Sequence, residues 1–168
     1  RRFLSYLPSH HKEAPPVHPV PEGSGAKMAD IAKLLPERRT QVYDVRTIIR
    51  AFVDAGSFFE LKPRFAKVAV TGLARLDGRT VGIVANNPLS RGGAMDTDAC
   101  EKITSFLVLC DSFNIPIVML VDNPGFMIGK QAEQEATIRA GARALTAVYQ
   151  VTVPWCTVII RKVFGVAG

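Results

Sequence analysis

The stretch "IPIVMLVDNPGFMIGK", Ile115 to Lys130, decides the fold. Its first residues are almost all apolar, so the polar–apolar alternation of a half-buried strand is missing. Such a strand is covered on both faces, as in a parallel sheet flanked by helices. It then stops at Asp122-Asn123-Pro124-Gly125-Phe126, where proline and glycine break the pattern. Two other stretches behave alike. "VGIVAN" (81–86) runs into "NPLSRGGAMDTDA", and "VPWCTVIIR" (153–161) runs into "KVFGVAG". All three read as buried strands that end in glycine-bearing loops. With helices between them, they imply an α/β fold with right-handed crossovers. In open α/β sheets, sites form where such loops gather at strand ends.

The elements between these strands follow from periodicity. In "YDVRTIIRAFVDAG", Val45, Ile48, Ile49 and Phe52 recur at helical spacing. Asp44 suits the N-cap and Gly56 the stop. Arg46 and Arg50 share another face, which is either a solvated basic edge or a contact to phosphate. "AKVAVTGLARLDGRTVGIVANN" is a hairpin around Asp77-Gly78, because a two-residue primed turn needs positive φ. A helix follows with Ala99, Ile103, Phe106, Leu107 and Cys110 as its buried stripe, and Asp98 with Glu101 as a capping box. "QAEQEATIRAGARALTAVYQ" reads as one more helix, with Ile138, Ala142, Leu145 and Tyr149 along one face. Residues 1–42, rich in Pro, Gly and charge, read as a linker or arm with one short turn in "DIAKLLPERR". Order is expected over 43–168.

Composition narrows the function. Hydrophobic residues make up 48% of 168, enough for one sizeable core. No apolar run reaches the roughly 18 residues of a membrane helix, and the basic N-terminus has no apolar signal region. The net charge of +6 comes from scattered Lys and Arg. That argues against nucleic acid and suits an anionic small substrate. Cys100, Cys110 and Cys156 have no paired spacing, which fits a reduced compartment without structural zinc. All three histidines, His10, His11 and His18, lie in the arm, so the core offers no imidazole for a His-based nucleophile relay.

The three loops are poor in side-chain catalysts. Asp96, Asp98 and Asp122 are their main acids, without diagnostic metal spacing. Asp122 alone reads as a turn or capping residue. What the loops offer is backbone N–H groups beside glycines. Such donors, aimed at a developing oxygen charge, make an oxyanion hole.

The run from Val70 to Gly129, "VTGLARLDGRTVGIVANNPLSRGGAMDTDACEKITSFLVLCDSFNIPIVMLVDNPGFMIG", followed by "RAGARALTAVYQVTVPWCTVIIRKVFG", resembles the C-terminal half of the carboxyltransferase (β) subunit of biotin-dependent acyl-CoA carboxylases, of the propionyl-CoA carboxylase kind. Related biotin-dependent decarboxylases share the module. The motifs "ANNP", "GGAMD", "DACEK", "DNPGF", "RAGA" and "TVP…RK" stand in the family's order. The resemblance implies a crotonase-like fold of ββα units wound as a superhelix, here incomplete at its C-terminus. It implies transfer of CO2 from carboxybiotin to the α carbon of an acyl-CoA. Biotin arrives on a biotin carboxylase/biotin carrier partner. The N-terminal carboxyltransferase half of a neighbouring subunit binds the acyl-CoA, within a homo-oligomer, a hexamer by family habit. The compartment implied is the cytoplasm, or the mitochondrial matrix in a eukaryote.

Residue by residue, the resemblance places the backbone amides of Val166 and Ala167 as the oxyanion hole for the biotin ureido oxygen. Val166 stands where the family commonly has glycine, which reshapes the loop if that position needs positive φ. The biotin side of the site would include Gly165, Asn123, Pro124, Gly125, Phe126, Gly92, Gly93 and Ala94. Arg46 and Arg50 are expected on the acyl-CoA side. Two other readings stay open. A crotonase-type hydratase or isomerase would need paired Glu residues near these loops, which offer none. A non-catalytic assembly module would bind no free biotin.

Overall fold

Asp77 and Gly78 both take positive φ, 50° and 75°, and fold β2 (Ala69–Leu76) back on β3 (Arg79–Asn86) in full antiparallel register. This is the expected primed turn. The computed structural model describes the chain except Arg39, Val166 and Gly168. Among the described residues the sheet has five strands in the order β1-β2-β3-β4-β5, with β1 at Phe59–Leu61, β4 at Ile117–Asn123 and β5 at Trp155–Val163. β1 is antiparallel to β2, whereas β4 and β5 run parallel to β3. The fold is therefore α/β, as expected, with a mixed sheet. β1 was not legible, since three residues carry no periodicity.

Helices cover both faces. Helix α1 (Val45–Phe52) packs Val45, Ile48 and Ile49 against Val70, Ala74, Ile83, Ala85 and Leu120. Asp44 caps it by accepting from the Arg46 N–H, but the helix ends at Phe52, ahead of Gly56. On the other face lies α2 (Thr97–Ser112), with the whole expected stripe buried. Gly82 lets α2 approach, because a Cβ there would sit 2.6 Å from Cys110 Sγ. The N-cap of α2 is Asp96, which accepts from Ala99 N–H at 2.8 Å, and not Asp98. Two neighbouring aspartates both suit a cap, and the loop geometry selects the earlier one.

Buried Lys102 on α2 ties the β1–β2 connection to the core. Its Nζ donates to the carbonyls of Lys62, Phe65 and Ala69 at 3.0, 2.9 and 2.7 Å. Lys62 and Ala66 hold positive φ in that connection.

The last helical segment is not one helix. Ala136 adopts a left-handed conformation and separates α3 (Lys130–Gln134) from α4 (Thr137–Gln150). Helix α4 also faces the other way from the expectation. Ala140 and Gly141 point inward, while Ile138 is 71% exposed and Tyr149 81%. Strand β5, expected to be buried, is an edge strand whose Val158 and Ile159 are exposed. Together they form an apolar face on one side of the molecule. At the opposite edge, the first residues fold onto the sheet. Tyr6 is buried and donates its hydroxyl to the Ser57 carbonyl, and Phe3 and Leu7 pack on the α2 side. No helix among the described residues is long and apolar enough to cross a membrane.

Candidate functional site

β3, β4 and β5 are parallel neighbours, so their C-terminal loops leave the sheet on the same edge. The loops touch through backbone. Met95 N–H donates to the Gly125 carbonyl at 3.0 Å, and Met127 N–H donates to the Met95 carbonyl at 2.8 Å. This short parallel bridge joins the β3 loop to the β4 loop. Phe164 N–H donates to the Asn123 carbonyl at 3.1 Å and joins the β5 loop to β4.

Glycines permit this convergence. Gly93 has φ +89°, and a Cβ there would meet the Asp122 carbonyl oxygen at 2.5 Å. Gly125 has φ +121° and faces the Phe164 carbonyl, and Gly165 has φ +67°. Gly92 also has positive φ, but open space surrounds its Cβ position. All four conformations favour glycine.

Asn123 is 1% exposed. Its side-chain oxygen accepts from Gly125 N–H at 2.8 Å, and its Nδ2 donates to the Ala167 carbonyl at 2.6 Å. Both ends of the amide are thus committed inside the protein. Asn123, expected on the biotin side, directs its amide to the backbone of the β4 and β5 loops. Its neighbour Asp122 points to a different set of partners. Asp122 Oδ2 accepts from Tyr43 O–H at 2.9 Å and from Arg161 Nε at 2.8 Å. The Arg161 guanidinium lies 4.7 Å from the Tyr43 ring centroid and also donates to the Gln41 carbonyl. Burial, and then the bond to Asp122, push the Tyr43 phenol well above its ordinary range. Asp122 is therefore a buried ion-pair partner that fixes β5 to the segment before α1.

The other expected residues are distributed as follows. Pro124 is exposed and Phe126 half-buried. The Phe126 ring lies over Gly141 of α4, where a Cβ would meet Cζ at 2.6 Å, so this ring packs α4 against the loop. Ala94 is half-buried beside Gly93, Gly165 is exposed, and Ala167 is half-buried against the α2-side core. Val166 lies outside the described residues.

Arg46 and Arg50 part company. Arg50 is exposed. Arg46 makes a two-pronged bond to Glu60 of β1, with Nε at 2.7 Å and Nη2 at 2.6 Å, and a further bond to Asp44. Its guanidinium is committed to the fold, and these partners hold it more firmly charged than usual. Each of its three nitrogens carries a bond within the fold.

The site thus has three backbone loops, a clamp at Asn123 and no His or Cys. Sequence reasoning missed Arg161, and it read Asp122 as a turn or capping residue rather than as a buried ion-pair partner. The local signal was a charge near the C-terminal end of each of two apolar strands.

Known proteins share the sequence and the fold. The carboxyl transferase domain model matches residues 1–168. The propionyl-CoA carboxylase beta chain of Roseobacter denitrificans is 40% identical over 165 residues, covering 98% of this chain and 32% of the relative. The methylmalonyl-CoA decarboxylase subunit alpha of Veillonella parvula is also 40% identical, with the same coverage. The crystal structure of the hexameric transcarboxylase 12S core, with methylmalonyl-coenzyme A bound, superposes with a TM-score of 0.93 at 40% identity. It covers 99% of this chain, which matches 32% of that one. The chain thus spans about a third of the length of the relatives it matches. The fold is the crotonase-like one that the resemblance implied. The chain belongs to the carboxyl transferase domain family.

Proposed function

We propose that this chain is the biotin-side part of a subunit that exchanges a carboxyl group between biotin and an acyl-CoA. The observation that carries the reading is the catalyst-poor junction of three strand-end loops, in which Asn123 and Phe164 hold the backbone around Ala167. Acyl-carboxyl transfer on biotin is a reaction that such a site can support. Bound carboxybiotin would supply the carboxyl group and a ureido nitrogen able to take up the α proton of the thioester. The chain's own task is to place the ureide and to stabilise charge on its oxygen.

The amide of Ala167, and with it that of Val166, which lies outside the described residues, would donate to the ureido oxygen of a bound biotin and stabilise negative charge there. Fixed backbone donors stabilise that charge without reorganising. Gly165, Gly92, Gly93 and Ala94 keep the walls low enough for the ring to approach, and Pro124 and Gly125 form the opposing wall. Phe126 contributes by packing behind that wall. Of the two arginines expected to meet a coenzyme A phosphate, the exposed Arg50 is the more accessible and Arg46 is held by Glu60 and Asp44. Likeness to the hexameric transcarboxylase core supports a homo-oligomer in which the α4–β5 apolar face is covered. A biotin carrier and the acyl-CoA-binding half of a neighbouring subunit complete the set of partners.

The test uses the complete subunit and measures carboxyl exchange between a carboxylated acyl-CoA and free biotin. Ala167→Gly keeps the donor and retains most of the rate. Ala167→Pro removes it and lowers kcat about 100- to 1000-fold, the usual effect of losing one oxyanion donor. Unchanged melting and unchanged acyl-CoA binding control for loop distortion. A folded Ala167→Pro variant that turns over at the parent rate refutes the assignment.

A further inference from the structure

We infer that Asn123 is a positioning residue for the ureide-binding loop, and that the hydrogen bond from its Nδ2 to the Ala167 carbonyl sets the donor geometry. The inference rests on the reading of Ala167 given above and names what holds it in place.

The sheet itself cannot do this. The β4–β5 ladder is regular from Ile117↔Trp155 to Val121↔Ile159, and then it slips. The next pair is Asn123↔Val163, so β4 advances past Asp122 alone while β5 passes Ile160, Arg161 and Lys162. Beyond this irregularity the last ladder-like bond is Phe164 N–H to the Asn123 carbonyl. Gly165 and Ala167 lie outside the strand, and the Ala167 carbonyl is held by a side chain.

That side chain is an amide for a reason. The oxygen accepts from Gly125 N–H at 2.8 Å and the nitrogen donates to the Ala167 carbonyl at 2.6 Å. Only a group with a donor and an acceptor on one rigid plane satisfies both. The amide thus locks the β4 wall and the β5 loop to each other. It is buried, so water does not substitute for either bond at low cost. Asp122 fixes the bulged part of β5 through Arg161 at the same level of the strand. Adjacent residues therefore divide the work: Asp122 holds the bulge, and Asn123 holds the loop beyond it.

The discriminating substitution is Asn123→Asp in the complete subunit. It preserves shape and the acceptor for Gly125. As a carboxylate it sets an oxygen against the Ala167 carbonyl oxygen. Burial, with one oxygen facing the Ala167 carbonyl, raises the carboxyl's pKa, and the protonated form regains one O–H donor. The expected result is a fall in kcat of about 100-fold at alkaline pH, the usual cost of a displacement near 1 Å. The ratio of variant to parent rate should recover as pH falls, and KM for the acyl-CoA should stay constant. Asn123→Leu should lose the rate at every pH. In both variants amide hydrogen exchange at Gly125 should accelerate.

A merely structural role would give a pH-independent ratio. That outcome, or parent-like kcat in both variants, overturns the inference while leaving the carboxyltransferase reading intact. A parent subunit that exchanges no carboxyl group with biotin overturns that reading, and this inference with it. Unchanged Gly125 exchange in Asn123→Leu refutes the clamp itself.

Discussion

Replacing Gly93 by alanine drives a wedge between two strand ends, and Gly92→Ala beside it is the matched control. At Gly93 a Cβ would lie 2.5 Å from the Asp122 carbonyl oxygen. Ordinary heavy-atom contacts sit near about 3.5 Å, so the β3 loop and the end of β4 must part by about 1 Å. Overpacking of this kind costs about 1–3 kcal/mol. Alanine at φ +89° adds left-handed strain of about 1–2 kcal/mol. The expected total is about 2–5 kcal/mol. At Gly92, φ is +63° and no atom lies within 4 Å of the added Cβ. Only the strain of about 1–2 kcal/mol applies there. The assay is urea unfolding of the complete subunit followed by circular dichroism, comparing midpoints at equal m. Gly93→Ala should unfold at clearly lower urea than Gly92→Ala. The bridge from Met95 to Gly125 and Met127 should also loosen, read as faster amide exchange at Met95 and Met127. Equal midpoints for the two variants would refute the close approach of the β3 loop to Asp122.

Two further outcomes follow from buried charges. Arg46→Glu should destabilise the subunit by about 2 kcal/mol or more, since it breaks a half-buried charged pair and leaves Glu60 facing a like charge. Arg50→Glu should melt within about 0.5 kcal/mol of the parent, as exposed substitutions do, and should raise KM for the acyl-CoA with little change in kcat. Equal stability losses at the two arginines would show that the Glu60 pair contributes nothing. Lys102 should leave a pH signature. Burial pulls its ammonium down to about 8, while Glu60 opposes the shift and Arg46 and Lys62 add to it. The unfolded chain, with lysine near about 10.4, then binds more protons between about 8 and 10.4. Its contribution to stability therefore rises with pH through that window. Melting temperature against pH should lose this upward component in Lys102→Met, and identical slopes would count against it.

Local rules carried much of the fold. The β2–β3 hairpin was legible because Asp77-Gly78 is a demand made by two dihedral pairs alone. The α2 stripe was legible because a full set of large apolar residues repeats at one spacing. The α4 reading went astray for a physical reason. Its large residues, Ile138, Leu145 and Tyr149, mark a face able to bury area, but periodicity does not say against what. The inward face is built of Ala140, Gly141, Ala144 and Ala147, small enough to bring α4 close to α2 and the Phe126 ring. The same limit applied to β5, whose apolar run is an exposed edge among the described residues. At the candidate site, the gathering of three glycine loops was readable from strand order. The role of Asn123 was not. Its partners stand 2 and 44 residues away, and an asparagine beside Pro-Gly looks the same whether it faces a ligand or a backbone. The Glu60 partner of Arg46 was not legible for a similar reason, since it sits in a strand too short to predict.

Because the junction is built from main chain, its susceptibility to chemical reagents differs from that of a side-chain active centre. The segments 87–96, 123–129 and 163–168 contain neither cysteine nor histidine. Cys100 and Cys110 are buried, and burial pushes their thiols up to about 11 and about 12, away from the reactive thiolate. Electrophilic warheads would find no thiol or imidazole to capture there. Cys156, exposed on β5, would be alkylated first, on a strand rather than in the junction. A ligand designed for this surface has to compete by shape and by accepting from peptide N–H groups. Resistance to it would arise through residues that alter the loop's dihedral angles, with glycine positions such as Gly93 and Gly125 tolerating the fewest replacements.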